Sequence, residues 1–248
     1  MKYAVITGAS SGLGEEFVKQ LHTKYNCILV ARREDKLIEL CDQYDNCSYL
    51  AADITQSKSI DILFNFLKDK DVELFINNAG FGDCGYILET DLDKEINMIH
   101  TNVEALHICT KKALEIMKEG HILNVGSVAG LMPAGPYMAT YYATKNYVVS
   151  FSRAIAYELK EHHSKIHVSV LCPGPVDTEF NQVANVKFAL NGIQPKECVS
   201  YALKKMYENQ VTIIPTLEIK LAALSTKVIP AIIAVGIIAH QQKKKIYK

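Results

Sequence analysis

The sequence carries no net charge, which removes the usual electrostatic basis for binding a nucleic acid. Lysine and arginine total 27 residues, and aspartate and glutamate also total 27. Proteins that bind DNA or RNA gain much of their affinity from an excess of basic side chains that neutralise phosphates. We therefore expect no nucleic-acid partner.

A cysteine pattern for disulfides or metal binding is also missing. The seven cysteines are an odd number, none forms a Cys-x-x-Cys motif, and several lie in apolar runs such as Cys27–Val30. Cysteines in that setting are typical of small buried side chains. We expect no metal site and a reducing, cytoplasmic location.

Long apolar stretches are absent as well. The longest uncharged apolar stretch, residues 228–239, is 12 residues long and contains Pro230 and Gly236. A membrane-spanning helix needs about 20 such residues. The chain begins Met1-Lys2-Tyr3 and enters a strand-like segment at once, so we expect neither a signal peptide nor a spanning helix.

What the sequence does contain is an alternation of short apolar segments with longer amphipathic ones, which predicts an α/β fold. We expect a single-domain doubly wound parallel sheet with helices on both faces over residues 1–215. Residues 216–248 are predicted to form an apolar C-terminal helical tail with a basic end. The predicted strands are Tyr3–Thr7, Cys27–Ala31, Tyr49–Ala52, Leu74–Asn77, His121–Val125, Ile166–Leu171 and Val211–Ile214. The predicted helices are Leu13–Lys24, Glu34–Tyr44, Ile60–Leu67, 91–118 and 137–162.

A glycine-rich turn follows the first predicted strand directly. Residues 7–14 read Thr-Gly-Ala-Ser-Ser-Gly-Leu-Gly. Gly8, Gly12 and Gly14 permit a tight turn and a close approach to a phosphate, and the next helix directs its amides to the same place. A plain strand–helix turn is the alternative, but the context favours dinucleotide binding. The segment lacks the lysine of a P-loop, which argues against an ATPase.

Tyr141 and Lys145 are four residues apart on a predicted helix, so they lie on one face. A lysine ammonium beside a phenol favours the phenolate. It would bring a group that titrates near about pH 10 closer to the range of an acid–base catalyst. Many solvated helix faces carry the same spacing, so the pair alone does not establish catalysis. Of the nearby tyrosines 137, 141 and 142, only Tyr141 has a lysine four residues later.

Together with three further motifs, these features resemble the short-chain dehydrogenase/reductase family. The resemblance runs from residue 3 to about residue 178, and more loosely to about residue 215. It implies a Rossmann-type fold, an oxidoreductase activity with a nicotinamide cofactor, and a homodimer or homotetramer. The further motifs are Asn77–Gly80, which resembles the family's NNAG, Ser127 after the fifth strand, and Pro-Gly-Pro-Val-Asp-Thr at 173–178.

The resemblance implies catalytic roles for four residues. Tyr141 would protonate the carbonyl oxygen as hydride arrives, or act as the base in the reverse direction. Lys145 would lower the pKa of Tyr141 and hold the nicotinamide ribose, and Ser127 would hydrogen-bond the substrate oxygen. Asn102 would hold a water that links Lys145 to solvent. A buried asparagine bonded to local backbone is the alternative for Asn102.

The resemblance also implies a set of cofactor contacts. Arg32 and Arg33 directly follow the second strand, where an acid would favour NAD and an arginine accommodates the 2′-phosphate of NADP. We predict NADP(H) rather than NAD(H), with Arg32 as the main contact; solvation of a surface loop is the alternative. Asp53 resembles the adenine-binding aspartate, with a helix N-cap as its alternative. The implied contacts are Gly8, Ser10, Ser11, Gly12, Leu13, Gly14, Arg32, Arg33, Asp53, Ile54, Asn78, Ala79, Gly80, Tyr141, Lys145, Pro173, Gly174, Val176 and Thr178.

The substrate is less well specified by the sequence. Residues 180–195 are expected to form a short lid over it. Apolar side chains near the motifs suggest an apolar pocket, although core packing explains them equally well. These side chains are Phe81, Leu131, Met132, Met138 and Phe180.

The tail allows two interpretations. Residues 216–239 are strongly apolar and are followed by lysines at 243–245. The segment either packs on the domain or a second subunit, or it anchors the protein peripherally on a membrane with the lysines at anionic headgroups. A non-catalytic dinucleotide-binding sensor and a membrane-associated scaffold are the alternative functions. The complete set of Ser127, Tyr141 and Lys145 disfavours both.

Overall fold

The computed structural model describes residues 1–180, 184, 192–226 and 228–246. Within these residues seven strands form one parallel sheet, in the order β3-β2-β1-β4-β5-β6-β7. The predicted α/β doubly wound sheet is therefore confirmed. Most of the lid expected at 180–195 lies outside the described residues. The strands are β1 (Tyr3–Thr7), β2 (Asn26–Ala31), β3 (Cys47–Ala51), β4 (Val72–Asn77), β5 (Gly120–Val125), β6 (Ile166–Leu171) and β7 (Thr212–Ile213).

Helices cover both faces of the sheet because β1, β2 and β4–β6 are apolar on both sides. One buried cluster includes Phe17 and Leu37, and the cluster on the other face includes Leu63 and Phe75. The helices are α1 (Gly12–Leu21), α2 (Glu34–Gln43), α3 (Ser57–Leu67), α4 (Leu92–Ile99), α5 (Leu106–Ile116), α6 (Ala139–Glu161), α7 (Pro195–Tyr207), α8 (Leu217–Ser225) and α9 (Ala231–Ile246).

The helix predicted over 91–118 is interrupted. The wider turn of a π-helix, His100–Ala105, joins α4 to α5. Apolar spacing does not reveal such a turn, because it changes the backbone hydrogen bonding over a few residues only. The turn carries Asn102, whose buried amide pairs with the backbone of Phe81.

The order of the strands places a crevice between β1 and β4. The chain builds β1, β2 and β3 toward one edge, then returns to add β4 on the other side of β1. The loops after these two strands diverge in opposite directions. Ligands of open α/β sheets bind at such a switch point, beyond the carboxyl ends of the strands.

In the tail, Leu217–Ser225 and Ala231–Ile246 form α8 and α9, so the predicted helical character is present there. Helix α9 buries Ala234, Ile238 and Gln242, which are spaced by four residues and so share one face. Its other sides expose Ile232 and Ile233. Among the residues that the structure describes, no helix is long and apolar enough to cross a membrane.

Candidate active site

A cleft of about 650 Å³ opens at the carboxyl ends of the strands, at the switch point. Almost every residue expected to bind the cofactor or to act in catalysis lines it. Gly14 and Asn102 are the two exceptions, because neither is among the residues that line the cleft. The predicted residues that line the cleft are Gly8, Ser10, Ser11, Gly12, Leu13, Arg32, Arg33, Asp53, Ile54, Asn78, Ala79, Gly80, Ser127, Tyr141, Lys145, Pro173, Gly174, Val176 and Thr178.

The glycine-rich turn is locked to the end of β4. Gly8 has a φ of +65°, and a Cβ there would lie 2.7 Å from the Cα of Ala79. The side-chain amide of Asn78 donates to the carbonyl oxygens of Thr7 and Gly8, each at 3.0 Å. A Cβ on Gly14 would lie 2.1 Å from the Gly8 oxygen, so Gly14 lets α1 approach the turn. The geometry is that of an anion site at a helix N-terminus.

Ser127, Tyr141 and Lys145 all line the same cleft. The hydroxyl oxygen of Ser127 accepts a hydrogen bond from the Ala129 amide at 3.1 Å. The Lys145 Nζ donates to the Val125 carbonyl oxygen at 2.8 Å and lies 6.0 Å from the centre of the Tyr141 ring. Three residues from two adjacent segments, the end of β5 and α6, therefore meet in one place.

Burial governs the acid–base properties of this group. It raises the pKa of Tyr141 to about 12, and the hydrogen bond with Ser127 opposes that rise. Burial also lowers the pKa of Lys145 to about 8. The expected lowering of the tyrosine pKa by Lys145 is not seen in this arrangement. Desolvation disfavours both charges, and the lysine amine donates to Val125.

Asn102 lies immediately behind Gly80. Its amide nitrogen donates to the Phe81 carbonyl oxygen at 2.9 Å and to the Thr144 hydroxyl at 3.1 Å, and its oxygen accepts from the Phe81 amide at 3.1 Å. A Cβ on Gly80 would lie 2.9 Å from the Asn102 oxygen and 3.4 Å from the Lys145 Nζ. The side chain of Asn102 thus forms hydrogen bonds with the backbone of Phe81, which agrees with the alternative given above for a buried asparagine. The water-holding role stays a prediction.

At the far end of the cleft, Asp53 accepts hydrogen bonds from the amide and hydroxyl of Thr55, at 3.0 and 2.8 Å. The residue that precedes α3 is Gln56, so Asp53 is not the N-cap of that helix. The carboxylate is held at the cleft wall by a local turn. Its adenine-binding role remains a prediction.

Arg33 reaches across the glycine-rich turn. Its guanidinium donates to the carbonyl oxygen of Ser10 at 2.9 Å and pairs with Glu179 at 3.1 Å. Its Nε also donates to the Ser10 hydroxyl at 3.3 Å. Arg32 is exposed at the same wall. Arg33, and not the Arg32 that we predicted as the main contact, touches the loop that would cradle phosphate. The contact of Arg32 with the cofactor stays a prediction.

The apolar pocket expected from the sequence is present in part. Phe81, Met138 and Phe180 line it, whereas Leu131 and Met132 pack in buried clusters beside it. Sequence reasoning missed several lining residues from distant segments, because no local pattern marks them. They include Lys94, Asn97, Tyr142 and Gln242.

Comparison with known proteins identifies the family to which the chain belongs. The sequence model described as short chain dehydrogenase matches residues 2–187, and the chain belongs to this family of oxidoreductases. A Neurospora crassa protein named very-long-chain 3-oxoacyl-CoA reductase is 33% identical over 223 residues, which cover 78% of this chain. The match spans 66% of the length of that relative.

Solved structures share the fold over most of the chain. A short-chain dehydrogenase from Sphingobium yanoikuyae in complex with NADPH is 26% identical, with a TM-score of 0.79 and coverage of 92% of this chain and 94% of that one. A 3-ketoacyl-(acyl-carrier-protein) reductase from Brucella melitensis complexed with NADH is 25% identical, with a TM-score of 0.76 and coverage of 86% and 96%.

Proposed function

We propose that this chain is an NADP(H)-dependent oxidoreductase that transfers hydride between the nicotinamide and a ketone, aldehyde or secondary alcohol, with an apolar substrate. The observation that carries the proposal is the meeting of Ser127, Tyr141 and Lys145 in a switch-point cleft beside a glycine-rich turn. A sensor that only binds the dinucleotide would not require this set. The intact set therefore favours an enzyme.

The bound nicotinamide would supply or accept the hydride. In the reductive direction, the hydroxyl of Tyr141 gives its proton to the carbonyl oxygen while the carbon receives hydride, which yields an alcohol. Burial raises the pKa of Tyr141, so the phenol carries its proton at neutral pH but is a weaker acid than the mechanism asks for, and the charge of Lys145 would have to offset this. The Ser127 hydroxyl lies beside Tyr141 and would hydrogen-bond the same oxygen. We assign Lys145 to the ribose and to the charge that develops on Tyr141.

The preference for NADP(H) rests on the end of β2. Arg32 and Arg33 follow it, no acid stands there, and Arg33 lies against Ser10 of the phosphate turn. An arginine fork suits a 2′-phosphate. The NADPH complex of the Sphingobium relative supports this choice, and the NADH complex of the Brucella relative supports the alternative. Fluorescence titration with both dinucleotides tests it, and tighter binding of NADH would overturn the preference.

For the substrate, we propose a 3-oxoacyl thioester as the first compound to assay. The Neurospora relative bears the name of a reductase for such compounds, although the chain spans only part of its length. The side chains of Phe81, Met138 and Phe180 offer an apolar wall for an acyl chain. Reduction is followed by loss of NADPH absorbance, with aldehydes, ketosteroids and sugars as the comparison panel.

The decisive variant is Tyr141→Phe. It removes the proton donor and keeps the ring, so we expect turnover to fall by roughly 10²–10⁴-fold while the dinucleotide still binds. Tyr157→Phe is the matched control, since Tyr157 lies on the same helix and is 68% exposed. Near-normal turnover in Tyr141→Phe would refute the mechanism.

We further propose that the tail, residues 216–248, contacts a membrane surface peripherally. One face of α9 packs on the domain, while Ile232 of α9, Leu217 of α8 and Val228 between the two helices are strongly exposed. Lys243 and the lysines that follow it in the sequence would meet anionic headgroups. Flotation with anionic and neutral liposomes tests this proposal. Light scattering of the protein without lipid tests the homodimer or homotetramer that the family resemblance implies.

A further inference from the structure

Helix α9 brings a polar side chain to the substrate side of the cleft. Gln242 is 3% exposed, and its Nε2 donates to the hydroxyl of Tyr142 at 2.6 Å. Both residues line the cleft. Tyr142 is the immediate neighbour of Tyr141, so a residue near the end of the sequence stands beside the proposed proton donor.

The hydrogen bonding of this pair is incomplete. In the part of the chain that the structure describes, the Oε1 of Gln242 is buried and has no hydrogen-bond partner. The hydroxyl oxygen of Tyr142 accepts from Gln242, which leaves its own O–H group able to donate. The pair therefore offers one acceptor and one donor. Buried polar atoms are nearly always paired in proteins, and an unpaired one calls for a physical reason.

The position of Tyr142 is fixed. A Cβ on Gly135 would lie 2.2 Å from the Tyr142 ring, so the ring packs directly on that backbone. The rings of Tyr141 and Tyr142 meet edge to face, with 6.4 Å between their centres and an angle of 76°. The hydroxyl of Tyr142 and the amide of Gln242 are thus held at a set place relative to Tyr141.

We propose that Tyr142 and Gln242 determine specificity by binding a second polar group of the substrate, an amide or a hydroxyl, a few bonds from the reacting carbonyl. Such a group both donates and accepts, which matches what the pair leaves unused. The inference rests on the proposed carbonyl-reductase function. It adds a requirement that the apolar wall alone does not impose, because a substrate without this group would leave the Gln242 oxygen unpaired.

The test compares two 3-oxoacyl thioesters of the same acyl chain. One is the N-acetylcysteamine thioester, which carries an amide; the other is the pentanethiol thioester, in which methylene groups replace the amide. The variants are Gln242→Met and Tyr142→Phe, which keep the side-chain volume. Gln241→Met is the control, since Gln241 is exposed on the same helix. Ile238→Ala reports on tail packing alone, because Ile238 is buried on the same face.

We expect Gln242→Met and Tyr142→Phe each to lower kcat/KM for the amide thioester by about five- to tenfold, the usual scale of one hydrogen bond. kcat/KM for the pentyl thioester should not fall in either variant and should rise in Gln242→Met, because the unpaired oxygen is gone. The dissociation constant of the dinucleotide should stay the same. Ile238→Ala should change kcat/KM for both thioesters by the same factor. Gln241→Met should leave kcat/KM for both unchanged. Equal losses on both thioesters, or none, would overturn this inference while leaving the reductase function intact. If wild-type protein reduces neither thioester nor any carbonyl of the panel, the proposed function fails and the inference fails with it.

Discussion

Replacing Lys145 by methionine should change how stability depends on pH. Burial lowers the pKa of Lys145 from its ordinary 10.5 to about 8. At 1.36 kcal/mol per pKa unit, the folded protein is destabilised by roughly 3 kcal/mol when this amine is charged. Between pH 8 and 10.5 the unfolded chain binds the proton and the folded one does not. The free energy of unfolding therefore rises with pH through this window.

Lys145→Met lacks this contribution. The difference in unfolding free energy, wild type minus variant, should grow by roughly 2–3 kcal/mol from pH 7 to pH 10. Thiols and Tyr141, whose pKa values burial raises to about 12, act in the opposite direction in both proteins. Taking the difference between the two proteins removes most of that contribution.

The assay is urea unfolding at about pH 7, 8, 9 and 10, a range that spans the pKa of Lys145, without added dinucleotide. The matched control is Lys160→Met, because Lys160 is exposed on the same helix, α6. Its curve should run parallel to that of the wild type. If the curve of Lys145→Met also runs parallel to the wild type, the buried amine is not the group that titrates, and the reasoning is refuted.

Three further substitutions test other contacts. Glu179→Gln removes the carboxylate that pairs with Arg33. It should tighten NADPH binding up to about fivefold and leave NADH binding unchanged. Equal changes in the affinity for both dinucleotides would contradict a 2′-phosphate contact. Gly135→Ala forces the Tyr142 ring to move and should lower the unfolding free energy by about 1–3 kcal/mol. Asn102→Ala leaves both backbone groups of Phe81 unpaired and should destabilise by about 2–4 kcal/mol in urea unfolding. A purely water-holding Asn102 would instead change activity at unchanged stability.

The sheet was predictable because buried parallel strands are continuous apolar runs. The predicted bounds of β6, Ile166–Leu171, agree with the structure. The prediction for β3 began two residues late, at Tyr49, because this edge strand is partly exposed and its apolar pattern is weak. Sequence order and spacing also indicated Tyr141 and Lys145, since one helix carries both.

Other features depend on tertiary packing and left no local pattern. The pairing of Gln242 with Tyr142 joins residues that are 100 positions apart. The bond from Lys145 to the Val125 carbonyl oxygen depends on how α6 packs against β5, and it changes the expected influence of the lysine on Tyr141. The glutamate that pairs with Arg33 comes from a loop 146 positions later.

The amide of Asn78, which ties the glycine-rich turn to the end of β4, has a kinetic consequence. The turn cannot rearrange without breaking two hydrogen bonds to Thr7 and Gly8 and moving the backbone of Ala79 away from Gly8. The proposed phosphate-binding turn is therefore already in place before a dinucleotide arrives. Association should follow a single exponential whose rate increases linearly with dinucleotide concentration, without the plateau that a slow loop rearrangement would impose.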